Sequence, residues 1–116
     1  MTVIEREQTV VEPLVDERER RARVLEAAAL EIEVRGWAQG SEGAEPGTGP
    51  RCILGGILNA CGYDWRVHDY GTAGRVWGAD DVDYFQIYGW NDDPERKPSE
   101  VTFALRWRAE EIRDGR

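Results

Sequence analysis

The sequence predicts an α+β fold in which helix dominates: a small single domain with two longer helices, a short central helix and minor strands. Three observations predict it. Two stretches, one opening near Asp16 and one closing near Arg113, carry apolar residues at three- and four-residue steps, the signature of amphipathic helix. Between them lies an apolar block bounded by Cys52 and Cys61. Around that block, Gly- and Pro-rich segments leave room only for short strands. The chain has 116 residues, 41% apolar and 33% charged, which are ordinary proportions for a folded domain. That length suits one domain able to fold without staples.

Residues 1–15 have weak periodicity and a proline at Pro13. They are expected to be a partly ordered tail, although Val3, Ile4, Val10 and Val11 could pair as a strand or dock on a partner. The single globular domain is expected over residues 16–116. Asp16 can cap the first helix, and Glu17 and Glu19 suit the positive end of its dipole. Ala22, Leu25, Ala28, Ala29 and Ile32 then form one stripe, and Gly36 stands where a left-handed cap belongs. The first helix is therefore expected over residues 17–35.

Trp37 to Gln39 could be a short strand, and the Gly- and Pro-rich stretch to Arg51 reads as an excursion. Cys52 to Cys61 is apolar nearly all round, with Gly55 and Gly56 in its middle. It predicts a short buried helix over 53–61, with a buried strand as the competing reading. Residues 63–79, with Gly at 71, 74 and 78, read as irregular or a small sheet. Residues 80–90 fit helix and strand equally. Pro94 and Pro98 interrupt regular structure, after which Ser99 can cap a last helix over 100–113. Its stripe is Val101, Ala104, Leu105, Arg108 or Ala109, and Ile112. The first and last helices should pack together, with the Cys52 helix across them, and Trp37, Trp90 and Trp107 should supply core area.

The charge balance excludes some partners. Acids outnumber bases 23 to 15, a net charge of −8, and both halves of the chain are acidic. A general nucleic-acid binder needs a basic face to neutralise phosphates, so none is expected here. No apolar run is long enough to span a membrane, and the charged N-terminal stretch lacks a secretory core, so the cytoplasm is the expected compartment. Cys52 and Cys61 stand about 13.5 Å apart along a helix rising 1.5 Å per residue, too far for a disulfide, and reduced thiols are expected.

Four short motifs occur in order: Arg35-Gly36-Trp37, Gln39-Gly40, Cys52-x-x-Gly55 and Trp90-Asn91-Asp92. With the paired alanines Ala28 and Ala29, this order resembles a family of small uncharacterised proteins from actinobacteria and their phages. The resemblance covers roughly residues 20–115. It departs at Gly56, where the family pattern has Ala more often, and in the excursion over 41–50. It implies a shared fold and a phage or host source, and it carries no catalytic residue with it.

Two chemistries can be read from side chains. Cys52 at a helix start would have a favoured thiolate. With Gln39 as oxyanion donor, His68 as base and Asn91 as orienting amide, it would make a cysteine-dependent hydrolase or acyltransferase. Against this, the apolar neighbours Ile53, Leu54, Ile57 and Leu58 read Cys52 as a packed core thiol. A metal site is not expected, because Cys52, Cys61 and His68 are too few and do not converge. The acids lack the pattern of a calcium loop, and no cofactor is expected.

The stronger candidate is a binding face made of Asp80, Asp81, Asp83, Tyr84, Tyr88, Asp92 and Asp93, where aromatic anchors alternate with carboxylates. The expected function is that of a small acidic binding protein, phage-encoded, which engages a host protein of basic or mixed-charge surface. The alternatives are the Cys52 enzyme and a self-associating module, a possible homodimer, in which Val3 to Leu14 pairs between chains.

Overall fold

The cap predicted at Asp16 forms: its Oδ1 accepts the backbone N–H of Glu19 at 2.8 Å. From it runs α1, Glu17–Arg35. In the computed structural model, which describes residues 16–39, 51–62, 70–78 and 84–116, four further helices follow. They are α2 (Ile53–Ala60), α3 (Tyr70–Trp77), α4 (Tyr84–Asn91) and α5 (Pro98–Arg113). The expected tail, residues 1–15, lies outside the described residues.

The predicted stripe of α1 is the buried one: Ala22, Leu25, Ala28, Ala29 and Ile32 are all enclosed. On α5 the buried set is Val101, Thr102, Leu105, Ala109 and Ile112. These two faces meet in the largest helix–helix interface of the molecule. The helices run antiparallel, since Arg113 at the end of α5 reaches Glu19 near the start of α1, while Arg106 reaches Glu33 near its end. α2 lies against α1 with every residue from Ile53 to Leu58 buried. An apolar run without periodicity becomes a helix covered on all sides. Each fully buried Leu or Ile contributes roughly 1.5–3 kcal/mol, so Leu25, Ile53, Leu54, Ile57, Leu58, Leu105 and Ile112, all enclosed, dominate the core. α3 and α4 close one side through Ala73 and Ile87.

The fold is helical rather than α+β: among the described residues no sheet forms, and the minor strands expected from the sequence reduce to one parallel bridge between Trp37 and Arg51. Its two rungs are Ala38 N–H to Arg51 O at 2.9 Å and Arg51 N–H to Gly36 O at 3.0 Å. The bridge ends there because Ile53 opens α2 only two residues after Arg51, which leaves no partner strand to extend. Residues 70–77, expected as irregular or sheet, form α3, and residues 84–91 resolve as helix.

Two caps also differ from expectation. Gly36 is not left-handed helical but takes φ 100° and ψ 167°, a region essentially restricted to glycine. This turn lets its carbonyl face Arg51. The last helix starts at Pro98, whose missing N–H costs nothing at the first helical position. Its N-cap is Lys97 rather than Ser99, and Glu100 Oε1 accepts the Lys97 backbone N–H at 2.9 Å.

Candidate functional site

Three of the residues considered for cysteine chemistry come together at the start of α2. Asn91, the last residue of α4, is fully buried. Its Oδ1 accepts Trp37 Nε1–H at 2.7 Å and the backbone N–H of Ile53 at 3.0 Å. Its Nδ2 donates to Ala38 O and to Asp92 Oδ1, each at 3.0 Å. A carboxamide has two donors and room for two acceptances, so Asn91 is satisfied in full. Gln39 Nε2 donates to the carbonyls of Asn91 (3.1 Å) and Asp93 (2.7 Å). Cys52 is the N-cap of α2, where Sγ accepts the Gly55 N–H at 3.3 Å. The Ile53 and Gly55 amides, two of the donors a helix start leaves unpaired, are thus met by Asn91 and Cys52.

This junction holds four segments in register: the chain after α1, the bridge, α2 and the end of α4. Its side chains are occupied with one another and with backbone groups. Cys52 has no exposed surface, whereas reactive thiols occupy accessible, electropositive surroundings. His68 lies outside the described residues. Cys61 caps the other end of α2, half-buried, and burial raises its thiol pKa. Among the described residues no three His, Cys, Asp or Glu side chains converge into a metal-binding group.

Beside the junction lies Arg51, whose side chain is buried with its Nε 3.4 Å from Glu31 Oε1. The same oxygen accepts Arg35 Nε–H at 2.9 Å. Burial lowers the Arg51 pKa, and Glu31 acts against that shift.

Of the expected acidic-aromatic face, the side chains of Tyr88, Asp92 and Asp93 lie among the described residues. Asp80, Asp81 and Asp83 lie outside the described residues, and Tyr84 opens α4. Tyr88 packs against the core. Asp92 is half-buried and bonded to Asn91. Asp93 is exposed, and its Oδ1 accepts the Glu95 N–H at 2.9 Å.

An open aromatic surface exists instead on α5. Phe103 and Trp107 are 64% and 56% exposed, and their ring centroids are 5.9 Å apart with planes inclined by 27°. They form one side of a groove of about 550 Å³ whose walls also include Trp77, Trp90, Arg96 and Arg108. A second hollow of about 280 Å³ shares Trp77 and Trp90 and reaches Ile53 and Ile87. Trp90 is clamped: the Arg96 guanidinium lies 3.8 Å from its ring centre, and Arg96 Nε donates to its carbonyl at 3.0 Å. Trp107 Nε1 donates to Glu111 Oε2 at 3.0 Å, and Arg108 Nη1 donates to Glu111 Oε1 at 3.1 Å. The Arg108 bond first, and then Trp107, hold Glu111 below the usual glutamate range.

Trp107 therefore does not supply core area as expected. The signal was present in the spacing. Phe103 and Trp107 stand four apart, and each comes two residues after a core position, Val101 or Leu105. Two residues are about 200° round a helix, which places both rings opposite the buried stripe.

The chain belongs to a family of unknown function, DUF6197, whose model matches residues 16–111. That span includes the junction and the groove. No curated protein and no solved structure matches the chain.

Proposed function

We propose that this chain is a binding protein that engages a protein partner through the aromatic groove on α5. The observation that carries this reading is the stacked, exposed pair Phe103 and Trp107 beside the half-buried Trp77 and Trp90. Large aromatic side chains are costly to leave in water and are the side chains that anchor interfaces. The rim suits a mixed-charge surface, since Arg96 and Arg108 alternate with Glu100 and Glu111. The recognition face thus shifts from the acidic stretch read in the sequence to the neighbouring helix. The motif order resembling actinobacterial and phage proteins supports a phage-encoded chain that acts on a host protein in the cytoplasm. No helix among the described residues is long and apolar enough to cross a membrane, which is compatible with that setting.

The test is affinity capture from the native host with three versions of the protein: unchanged, Phe103→Ser/Trp107→Ser, and Val34→Ser as an exposed apolar control on α1. The expected result is one protein retained by the unchanged chain and by the control but lost from the groove variant. Equal capture by all three would remove the groove from the interface.

A further inference from the structure

The helix that carries the open rings also borders the hollows that can take such rings. Phe103 and Trp107 stand out from α5, each more than half exposed. Beside them the groove continues into the hollow that reaches Ile53 and Ile87, with Trp77, Trp90 and Ala104 shared between the two. Phe103 and Trp107 border this recess without filling it. Its far wall is held in place. Arg108 Nε donates to Trp77 O at 2.7 Å, and Arg21 Nε donates to Val76 O at 3.0 Å, so two arginines cap the negative end of α3. Both guanidiniums lie against Gly78, whose φ of +99° favours glycine. Ring and recess are thus parts of one pre-formed surface.

The side chains that α5 and its lead-in give to the groove complement themselves when one copy is turned end for end. Arg96, Glu100, Phe103, Ala104, Trp107 and Glu111 all line it. They follow one another at steps of three and four about the adjacent pair Phe103 and Ala104, so reversal reproduces the same spacing. An antiparallel two-fold centred between Phe103 and Ala104 sets Phe103 of one copy over Ala104 of the other, Trp107 over Glu100, and Arg96 over Glu111. A ring meets a small side chain, an indole N–H meets a carboxylate, and a guanidinium meets a carboxylate. Every contact then occurs twice, as an isologous interface requires. The bonds needed are free to exchange. Arg96 holds Glu100 and Asp93 at only 3.5 and 3.9 Å, and Glu100 is exposed. The Trp107 indole, now on Glu111, passes to Glu100 of the second copy and leaves Glu111 to the incoming Arg96.

We propose that a second copy of this chain closes the groove, with the two α5 helices packed antiparallel about Phe103 and Ala104. The area sets the strength of the pair. A buried aromatic side chain covers about 150–250 Å², and more than half of Phe103 and of Trp107 is uncovered in the single chain. With the surface that these rings cover on the other copy, the pair buries about 1,000 Å², the low end for a specific interface. The dimer is therefore weak and reversible rather than obligate. This goes beyond the host-protein reading: both occupants use one face, so a host protein has to displace the second copy.

The test is sedimentation equilibrium of the full-length protein from about 1 μM to about 1 mM, where a reversible dimer with a Kd on the order of 100 μM is expected. Trp107→Ser should weaken it roughly tenfold or more, and Val34→Ser on α1 should leave it unchanged. Arg96→Glu and Glu111→Arg should each be monomeric alone, because like charges then meet across the two-fold. Their equimolar mixture should dimerise again, since each copy supplies the charge the other lacks, and misfolding cannot produce that recovery. A monomer at every concentration overturns the pair whether or not any variant folds, and leaves the host-protein reading to its capture test. A dimer untouched by Trp107→Ser, or one lost instead in Val10→Ser/Val11→Ser, overturns the groove as its interface. A mixture that stays monomeric while both variants keep the circular dichroism of the unchanged chain overturns the antiparallel pairing. Dimerisation as expected with no host protein captured keeps the pair and removes the host-protein reading.

Discussion

The junction around Asn91 and the groove on α5 use the same kind of side chain to opposite ends. Trp37 is half-buried with its indole N–H spent on a buried amide, and every polar group of Asn91 has a partner. Phe103 and Trp107 sit in water with only a flexible carboxylate, Glu111, bonded to the indole. The first arrangement is what a scaffold requires, because a buried polar group without its bond costs roughly 1–3 kcal/mol. The second stabilises the isolated fold little. Rings presented this way become useful only when something covers them. Neighbours in the chain can therefore serve opposite ends: Asn91 is scaffold, while Trp90 beside it lines the open groove.

The largest expected effect is at Asn91. Asn91→Ala leaves the Trp37 indole, the Ile53 amide and the Ala38 carbonyl without their partner, and should cost about 3–5 kcal/mol. Urea unfolding followed by circular dichroism measures it. A loss below about 1 kcal/mol would mean the junction relaxes freely and is not the scaffold described here.

Next comes Gly78→Ala, which forces a β-carbon into an unfavourable φ and against two guanidiniums. A loss of about 1–2 kcal/mol is expected by the same measurement. An unchanged unfolding midpoint would show that the arginine caps on α3 are loose.

The α1–α5 seam sharpens the comparison through acid. Hydrogen bonds from Arg113 chiefly, and then from Arg23, lower Glu19 from its ordinary 4.5 to about 2. Arg113 also lowers Glu26, and Arg106 lowers Glu33. A carboxylate with a depressed folded-state pKa contributes stability that is complete above its unfolded pKa and lost as pH falls through the folded one. Stability should therefore decline as pH drops from about 4.5 toward about 2. Arg113→Gln should flatten that decline, with only a modest loss at neutral pH because these part-buried pairs are still screened by solvent. A slope equal to that of the unchanged chain would show that other groups govern acid unfolding.

Smallest is the groove itself. Phe103→Ser and Trp107→Ser should each change stability by no more than about 0.5 kcal/mol, as exposed positions do. A loss comparable to that of Asn91→Ala would make the rings scaffold after all.

What the sequence could reveal follows from the range of the forces involved. Asp16, the α1 stripe and the buried α2 are local patterns, and all three were legible. α3 was hidden because Gly71, Gly74 and Gly78 resemble loop punctuation, although Gly74 is buried inside a helix. α4 is rich in aromatic residues that suit strands, and packing overrides that preference. The fold class erred at Trp37, where a strand start has only one bridge to make. The role of Asn91 could not be read from spacing, since its bond to Trp37 spans 54 positions. The groove could have been read, because Phe103 and Trp107 sit off the stripe of a helix whose buried face was already identified.

The bridge from Trp37 to Arg51 has a further consequence for tolerance to insertion. Two backbone hydrogen bonds, with Gln39 anchored on one side and Cys52 on the other, clamp the ends of the intervening segment to each other. Doubling the length of such a segment adds only about 0.6 kcal/mol of closure entropy. A reporter peptide spliced in between those two anchors should therefore leave the helices in place.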